Sequence, residues 1–205
     1  MGILDFGYAY ILRPMAAIAF SFYKVEVIGK ENVLRDKGFI LAVNHSSYFD
    51  GPFIAWVLFP RPVHWIVHKK IYEKWYFRPA CIMSRSVPVN GSINIAEKIL
   101  NQGKIIGIFP QGGICCGDEI IKKGHRGVAV LGCKTGIPIV PCYIEGTFDR
   151  TKKVSIAPKV FMPLELRFGK PLYFEKCLTE KVPDDVLEDT LAKIVDGING
   201  LHGKG

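Results

Sequence analysis

Short apolar runs alternate with helical patterns through the middle of this chain, and this alternation constrains its fold more than any other feature. The strand-like runs are residues 39–43, 104–109, 137–144, 154–156 and 164–168. The helical segments are residues 92–100, 127–134 and 184–198, the last of them amphipathic. A chain of 205 residues that is 49% hydrophobic has enough apolar side chains for one well-filled core. We therefore expect one α/β domain over residues 25–205, with a central, largely parallel or mixed sheet flanked by helices.

A histidine and an aspartate lie five residues apart directly after the first of these strands. His45 follows the apolar run Phe39–Val43, and Asp50 stands where a helix is predicted to begin. An imidazole that a carboxylate holds in one tautomer can take a proton from a hydroxyl near neutral pH. The alternative is that Asp50 caps the helix and His45 is a histidine at the sheet rim without a catalytic role. These residues alone leave both interpretations open.

Four separated segments carry a further pattern. Asn44, His45 and Asp50 form Asn-His, four residues, Asp, and the strand at 105–109 continues into Phe-Pro-Gln-Gly-Gly. Residues 122–129 open a helix with Lys-Lys-Gly, and residues 136–144 form an apolar strand with two prolines. With these segments in this order, residues 25–147 resemble the 1-acylglycerol-3-phosphate (lysophosphatidic acid) acyltransferases, the PlsC-like glycerolipid acyltransferase family.

The resemblance implies a reaction and a set of site residues. A fatty acyl chain would move from acyl-CoA or acyl-ACP, the acyl carrier protein thioester, to the hydroxyl of a lysophospholipid such as 1-acylglycerol-3-phosphate, in phospholipid biosynthesis. His45 would be the general base and Asp50 would orient it, with no cofactor beyond the donor substrate. Backbone N–H groups at residues 111–113 would bind the oxyanion, unless this segment is a plain tight turn. The expected substrate-binding residues are Asn44, Phe109, Pro110, Gln111, Gly112, Gly113, Lys69 and Arg126.

The chain departs from the family where an acceptor phosphate would bind. Gln111 replaces the usual Glu, Gly113 and Ile114 replace Thr and Arg, and residues 86–89 lack the arginine that usually follows this strand. Neither Gly nor Ile can bind phosphate as a guanidinium does. The cations that could supply the charge, or simply form a solvated face, are Lys69, Lys70, Lys122, Lys123 and Arg126. Two alternatives remain, namely the same chemistry on a phosphate-free lipid and a catalytically silent lipid-binding protein.

Charge and the first 24 residues point to a lipid surface. The net charge is +8, and the basic residues are interleaved with apolar ones without a nucleic-acid-binding motif, so no nucleic-acid partner is expected. Residues 1–24 are apolar but interrupted at Arg13-Pro14, so they predict an interfacial helix rather than a span. Its predicted interfacial aromatic residues are Tyr8, Tyr10, Phe20 and Phe22, and packing of this helix on the core is the alternative. A second ring-and-cation cluster runs from Trp65 to Arg78. We expect a peripheral or monotopic membrane protein at the cytoplasmic face.

The six cysteines and two neighbouring histidines do not predict a metal site. The cysteines show no Cys-x-x-Cys spacing and are typical of reduced thiols in the cytosol. His64 and His68 would share one face of a strand, which makes a metal site conceivable, but no acidic or thiol partner lies nearby in the sequence. No bound metal is therefore expected.

Overall fold

The computed structural model describes residues 13–75, 78–83, 86–88, 92–115, 120–148 and 161–203. The helices in this part of the chain are α1 (Arg13–Phe20), α2 (Asp50–Val57), α3 (Lys69–Glu73), α4 (Arg78–Met83), α5 (Ser92–Asn101), α6 (Gly127–Thr135) and α7 (Asp184–Asn199). The strands are β1 (Lys24–Ile28), β2 (Phe39–Val43), β3 (Val63–Val67), β4 (Val87–Pro88), β5 (Ile105–Ile108), β6 (Ile139–Glu145) and β7 (Pro163–Phe168).

These strands form one sheet in the order β1-β7-β6-β2-β5-β3-β4. Neighbouring strands run parallel, except that β6 and β7 are antiparallel. The prediction of an α/β domain with a largely parallel, mixed sheet is confirmed. The parallel strands β2, β3, β5 and β6 all end at the same edge of the sheet, where open α/β folds usually place their ligands.

Helices cover both faces of the sheet, which explains why β2 is a continuous apolar run. Phe39, Leu41 and Val43 pack in one core layer with Phe53 and Ile54 of α2. Ile40 and Ala42 point into the opposite layer, which contains residues of α5, α6 and α7. All five residues of β2 are buried. A strand buried on both faces has no polar alternation, as is typical of the interior of parallel sheets.

The prediction that Phe20 lies in a lipid interface is wrong. Its side chain is only 3% exposed. Its ring lies 4.9 Å from the rings of Phe49 and Trp56 and 5.1 Å from that of Phe53, measured between centroids. The end of α1 therefore packs on the core, which is the alternative that the sequence left open. Phe22, two residues later, is 51% exposed.

The second predicted interfacial cluster, from Trp65 to Arg78, also contains both a buried and an exposed aromatic residue. Trp65 is buried in β3, so its assignment to the surface is wrong, whereas Trp75 is 83% exposed. An aromatic residue with neighbouring cations fits either setting, and only the packing decides between them. Several residues used in the predictions lie outside the described part of the chain, namely Tyr8, Tyr10, one of the six cysteines, Cys116, and the expected strand 154–156.

Within the described ranges, no helix has both the length and the apolar character needed to cross a bilayer. The same residues contain no group of three His, Cys, Asp or Glu side chains that could hold a metal ion. His64 is buried in β3. His68 instead precedes α3, where its Nδ1 accepts a hydrogen bond from the backbone N–H of Lys70 at 3.2 Å. The five described cysteines are free thiols.

Candidate active site

Asn44 fixes the point at which the chain leaves β2. Its side-chain amide donates to the carbonyl of Ile144 at 2.9 Å, and its side-chain oxygen accepts from the N–H of Ile144 at 2.7 Å. The side chain thus continues the β2–β6 ladder by one step after the backbone has turned away. Asn44 is buried. The predicted substrate-binding residue therefore holds the backbone just before His45.

His45 and Asp50 form a hydrogen-bonded pair at the carboxyl edge of the sheet. Nδ1 of His45 lies 2.8 Å from Oδ2 of Asp50, and the two side chains are 15% and 0% exposed. The same carboxylate oxygen accepts from the backbone N–H groups of Ser46 at 2.8 Å and Ser47 at 3.0 Å. Because Nδ1 is engaged by Asp50, Nε2 is the ring nitrogen left for a substrate. Asp50 is the first residue of α2, where the helix dipole favours a negative charge.

The imidazole of His45 is the first ring of a three-ring stack. The imidazole of His45 lies parallel to the ring of Phe109, with centroids 3.9 Å apart and planes at 14°. Phe109 in turn stacks on the indole of Trp65, with centroids 4.6 Å apart and planes at 2°. The sequence did not predict this role of Trp65. The signal was Gly107 in the middle of an apolar strand, since such a glycine often marks a close approach of another group.

The loop after β5 holds the backbone of His45 from both sides. The side-chain oxygen of Gln111 accepts from the N–H of His45 at 2.6 Å, and the N–H of Cys115 donates to the carbonyl of His45 at 2.9 Å. Gln111 is therefore placed to orient His45. An ionised Glu at this position would accept the same N–H with a negative charge beside the imidazole.

The turn at Gly112 packs against a second histidine. Gly112 has φ +70°, and a Cβ built there would lie 2.4 Å from Cδ2 of His125. The N–H of His125 donates to the carbonyl of Pro110 at 2.6 Å, and the N–H of Gly112 donates to that of Phe109 at 3.0 Å. The N–H of Gly112 is thus already used by the turn. Of the three expected oxyanion donors, Gln111 and Gly113 remain.

A cavity of about 1770 Å³ runs along this edge of the sheet. His45, Phe109, Pro110, Gly112 and Gly113 line it, together with Ile114 and His125. Its apolar wall includes Trp56, Phe59, Ile71, Ile93, Leu131 and Leu178. The cavity exceeds the range of about 300–1,000 Å³ that is common for small-molecule sites. Its lining is mostly apolar, and the His45 imidazole is exposed to it.

The two predicted substrate-binding cations, Lys69 and Arg126, are both paired with carboxylates. Lys69 is 62% exposed, pairs with Glu73 at 3.5 Å and does not line the cavity, whereas its neighbour Lys70 does. Arg126 lines the cavity rim, but its guanidinium is bound to Asp184 at 2.8 Å and Glu188 at 2.5 Å, both on α7. These carboxylates compete with any phosphate for the guanidinium.

Comparisons with known proteins identify the family. The model of the family described as acyltransferase matches residues 24–145. A 1-acyl-sn-glycerol-3-phosphate acyltransferase of Bacillus subtilis is 31% identical over 128 residues, which is 60% of this chain and 63% of that protein. An uncharacterised protein of Mycobacterium bovis is 26% identical over 149 residues, covering 67% and 42%. The chain thus spans less than two thirds of the length of these curated relatives.

The fold is also shared with a solved structure. The crystal structure of the 1-acyl-sn-glycerophosphate (LPA) acyltransferase PlsC from Thermotoga maritima matches with a TM-score of 0.67 at 22% identity, covering 100% of this chain and 85% of that one. The resemblance noted in the sequence is confirmed, and the match includes the His45–Asp50 pair and the loop that carries Gln111. This chain belongs to the acyltransferase family.

Proposed function

We propose that this protein transfers a fatty acyl chain from acyl-CoA or acyl-ACP to the hydroxyl of a lysophospholipid such as 1-acylglycerol-3-phosphate, in phospholipid biosynthesis. The observation that carries the proposal is the 2.8 Å contact between His45 and Asp50 at the wall of a large apolar cavity. The Bacillus subtilis relative bears the name of this activity. A mostly apolar cavity of this size is suited to long alkyl chains, which have no polar groups to satisfy along their length.

The chemistry needs one base and a site for the oxyanion. Nε2 of His45 takes the proton of the acceptor hydroxyl as the oxygen attacks the thioester carbonyl. Asp50 stabilises the imidazolium that forms, and its carboxylate stays in place through the two serine N–H groups. The N–H groups of Gln111 and Gly113 are the candidate donors to the oxyanion. The carbon–sulfur bond then breaks, and the departing thiolate receives the proton from His45.

The residues that line the cavity favour a second candidate acceptor. Gly113 and Ile114 line the cavity where the family usually has Thr and Arg, and Arg126 is held by two carboxylates. The other cations that line the cavity are Lys70, Lys74, Lys134 and Lys176, and the amine of Lys134 already donates to the carbonyls of Thr179 and Glu180. A phosphate-free lipid alcohol is therefore the second candidate acceptor. A silent lipid-binding protein is disfavoured because both members of the His45–Asp50 pair are present.

The test is thiol release from palmitoyl-CoA and palmitoyl-ACP, with 1-acylglycerol-3-phosphate or monoacylglycerol as the acceptor. We expect release that depends on an acceptor and is lost in His45→Ala. The matched control is His202→Ala, which removes an exposed imidazole whose ring lies 5.1 Å from the Tyr143 ring between centroids.

Each outcome of this assay decides between the candidate functions. Turnover with the phosphorylated acceptor supports the first candidate, and turnover only with monoacylglycerol supports the second. Acceptor-dependent release that survives His45→Ala would contradict the proposed base. No release with any pair of substrates, from folded protein that binds palmitoyl-CoA, would reject the enzyme and leave the lipid-binding protein.

We also propose that the protein works at a membrane surface, on the cytoplasmic face. Phe22 and Phe161 are 51% and 79% exposed, and the N–H of Phe161 donates to the carbonyl of Phe22 at 3.0 Å. They precede Lys24 and Pro163, which are paired at the start of β1 and β7. Because β7 is antiparallel to β6, this end of the sheet is also the edge that carries His45. The net charge of +8 favours anionic lipid.

Flotation with anionic liposomes tests the membrane proposal. We expect the wild-type protein to float and Phe161→Ser to float less. The matched control is Tyr173→Ser, because Tyr173 is 71% exposed and follows Leu172, which bridges to Ile139 at the opposite edge of the sheet. Wild-type protein that stays at the bottom at low salt would reject the proposal, as would equal flotation of the two variants.

A further inference from the structure

Trp65 packs against both segments that position the His45–Asp50 pair, namely β5 with Phe109 on one side and the first turn of α2 on the other. In the sheet it lies opposite Gly107, and a Cβ built on Gly107 would approach Cε3 and Cζ3 of the indole to 2.5 Å and 2.6 Å. Only a glycine therefore lets the indole lie flat against β5. Two residues further along the chain, Phe109 stacks on this indole and also on His45.

The other edge of the indole reaches the helix that carries Asp50. A Cβ built on Gly51 would lie 3.6 Å from Nε1 and 3.7 Å from Cε2 of Trp65, which is ordinary van der Waals contact. Gly51 directly follows Asp50 in the first turn of α2. One buried side chain thus packs beneath Phe109 and beside the backbone of α2.

The hydrogen bond to Asp50 leaves one degree of freedom in the imidazole. It restrains the distance from Nδ1 to Oδ2, but one distance does not fix both side-chain torsion angles of His45, so the ring plane can still rotate. Contact with the face of Phe109 restricts that rotation, and therefore the direction in which Nε2 points. Phe109 has no polar atom of its own in the side chain, so packing alone determines its orientation, and its other face packs on Trp65.

We propose that Trp65 is a positioning residue for the general base, acting through Phe109 to hold the His45 imidazole in line with both Asp50 and the acceptor hydroxyl. The proposal rests on the function proposed above. An aromatic face also favours the positive charge that His45 acquires during proton transfer. Loss of Trp65 should therefore lower the rate of the chemical step and leave substrate binding largely unchanged.

The experiment compares four variants by steady-state kinetics and by NMR. Trp65→Leu removes the lower ring of the stack, and Trp65→Phe keeps an aromatic face. Gly107→Ala displaces the indole without removing it. Phe168→Leu is the control, because Phe168 is 2% exposed in the same core layer but lies in β7, away from the stack. The NMR probe is the Cε1–H signal of His45 in protein with labelled histidine, assigned by its absence in His45→Ala.

We expect Trp65→Leu and Gly107→Ala to lower kcat about ten- to a hundredfold, with KM changed by less than about twofold. Trp65→Phe should retain most of the rate, and Phe168→Leu all of it. We expect the ring current of the stacked Phe109 to shift the His45 signal upfield, and this signal to move downfield in Trp65→Leu and Gly107→Ala only. If the role of Trp65 were merely structural, Trp65→Leu would lower stability, as Phe168→Leu does, and would not move the His45 signal.

The proposal is overturned if folded Trp65→Leu keeps the wild-type kcat and the wild-type His45 signal. If Trp65→Leu does not fold, the same result in folded Gly107→Ala overturns it. The NMR arm needs no substrate. If the wild-type protein turns over no thioester, the proposed reaction fails, and the position of the His45 signal in the variants still decides whether Trp65 orients the ring.

Discussion

Replacing Asp50 by Asn tests the electrostatic part of the proposed mechanism with the smallest change in shape. Oδ2 of Asp50 accepts from His45, Ser46 and Ser47. Three donors converge on this atom, so the amide oxygen of Asn should take its place and the NH₂ group should replace Oδ1. The imidazole then keeps its tautomer and loses only the negative charge that faces it. The result therefore isolates the charge.

The magnitude follows from Coulomb's law. A carboxylate and an imidazolium about 4 Å apart attract each other by about 4 kcal/mol at an effective dielectric constant of about 20. That energy is available only once the imidazolium forms, so its loss raises the barrier and lowers kcat about a thousandfold. The effect on stability should be smaller. Oδ1 has no hydrogen-bond partner among the described residues, and an amide there costs about 1–3 kcal/mol as an unsatisfied buried donor.

The assay is acceptor-dependent thiol release, with urea unfolding of the same preparations. The control variant is Asp189→Asn, which removes an exposed carboxylate that pairs only with Lys193 at 2.6 Å among the described contacts. We expect wild-type kinetics in the control and a kcat lowered by about three orders of magnitude in Asp50→Asn. A folded Asp50→Asn enzyme with kcat within tenfold of the wild type would refute the assignment of Asp50 as the stabilising anion.

Three further predictions concern the structure around the site. Asn44→Ala leaves the buried N–H and carbonyl of Ile144 without their partners and should lower the free energy of unfolding by about 2–4 kcal/mol, seen as a lower urea midpoint. Burial raises the pKa of the Cys142 thiol well above its ordinary value of 9.0. The unfolded chain therefore loses this proton first, so stability is fully present below that value and falls as pH rises through it, by up to about 1.4 kcal/mol per pH unit. Urea unfolding between about pH 8 and pH 10 should show a smaller decline in Cys142→Ala. Hydrogen bonds from Thr179, with Lys134 nearby, lower the pKa of the Cys177 thiol. Iodoacetamide should thus modify Cys177 before Cys142, and Thr179→Ala should slow that reaction.

Periodicity and run length were enough to predict most of the sheet. The apolar run at residues 39–43 is β2 at its predicted bounds, and residues 184–198 form all but the last residue of α7. Both are long or strongly apolar segments in which local preference and tertiary packing agree. The His45–Asp50 contact was also accessible, because both residues belong to one short loop whose ends are fixed by a strand and a helix.

Contacts between distant segments could not be predicted in this way. Phe20 and Trp65 look like interfacial aromatic residues in the sequence, and their burial depends on Phe49 and Phe109, which lie far from them along the chain. Similarly, nothing local indicates that Arg126 is held by Asp184 and Glu188, since about 60 residues separate them. A residue's type fixes what it can bind, whereas its exposure and its competing partners are properties of the fold.

The candidate site has a catalytic half that is held by local contacts and an acceptor half that depends on a distant segment of the chain. The catalytic half is local, because Asn44, His45 and Asp50 are held by backbone groups of one loop and of β6. The acceptor half depends on the loop after β5, which touches the catalytic half through the Phe109 ring and then through two anchoring contacts, the Gln111 side chain and the N–H of Cys115. Gly113 and Ile114 lie in the cavity between these two anchoring contacts. Their side chains can therefore differ from the family pattern without moving His45, so acceptor preference can change while the base and its carboxylate remain in place.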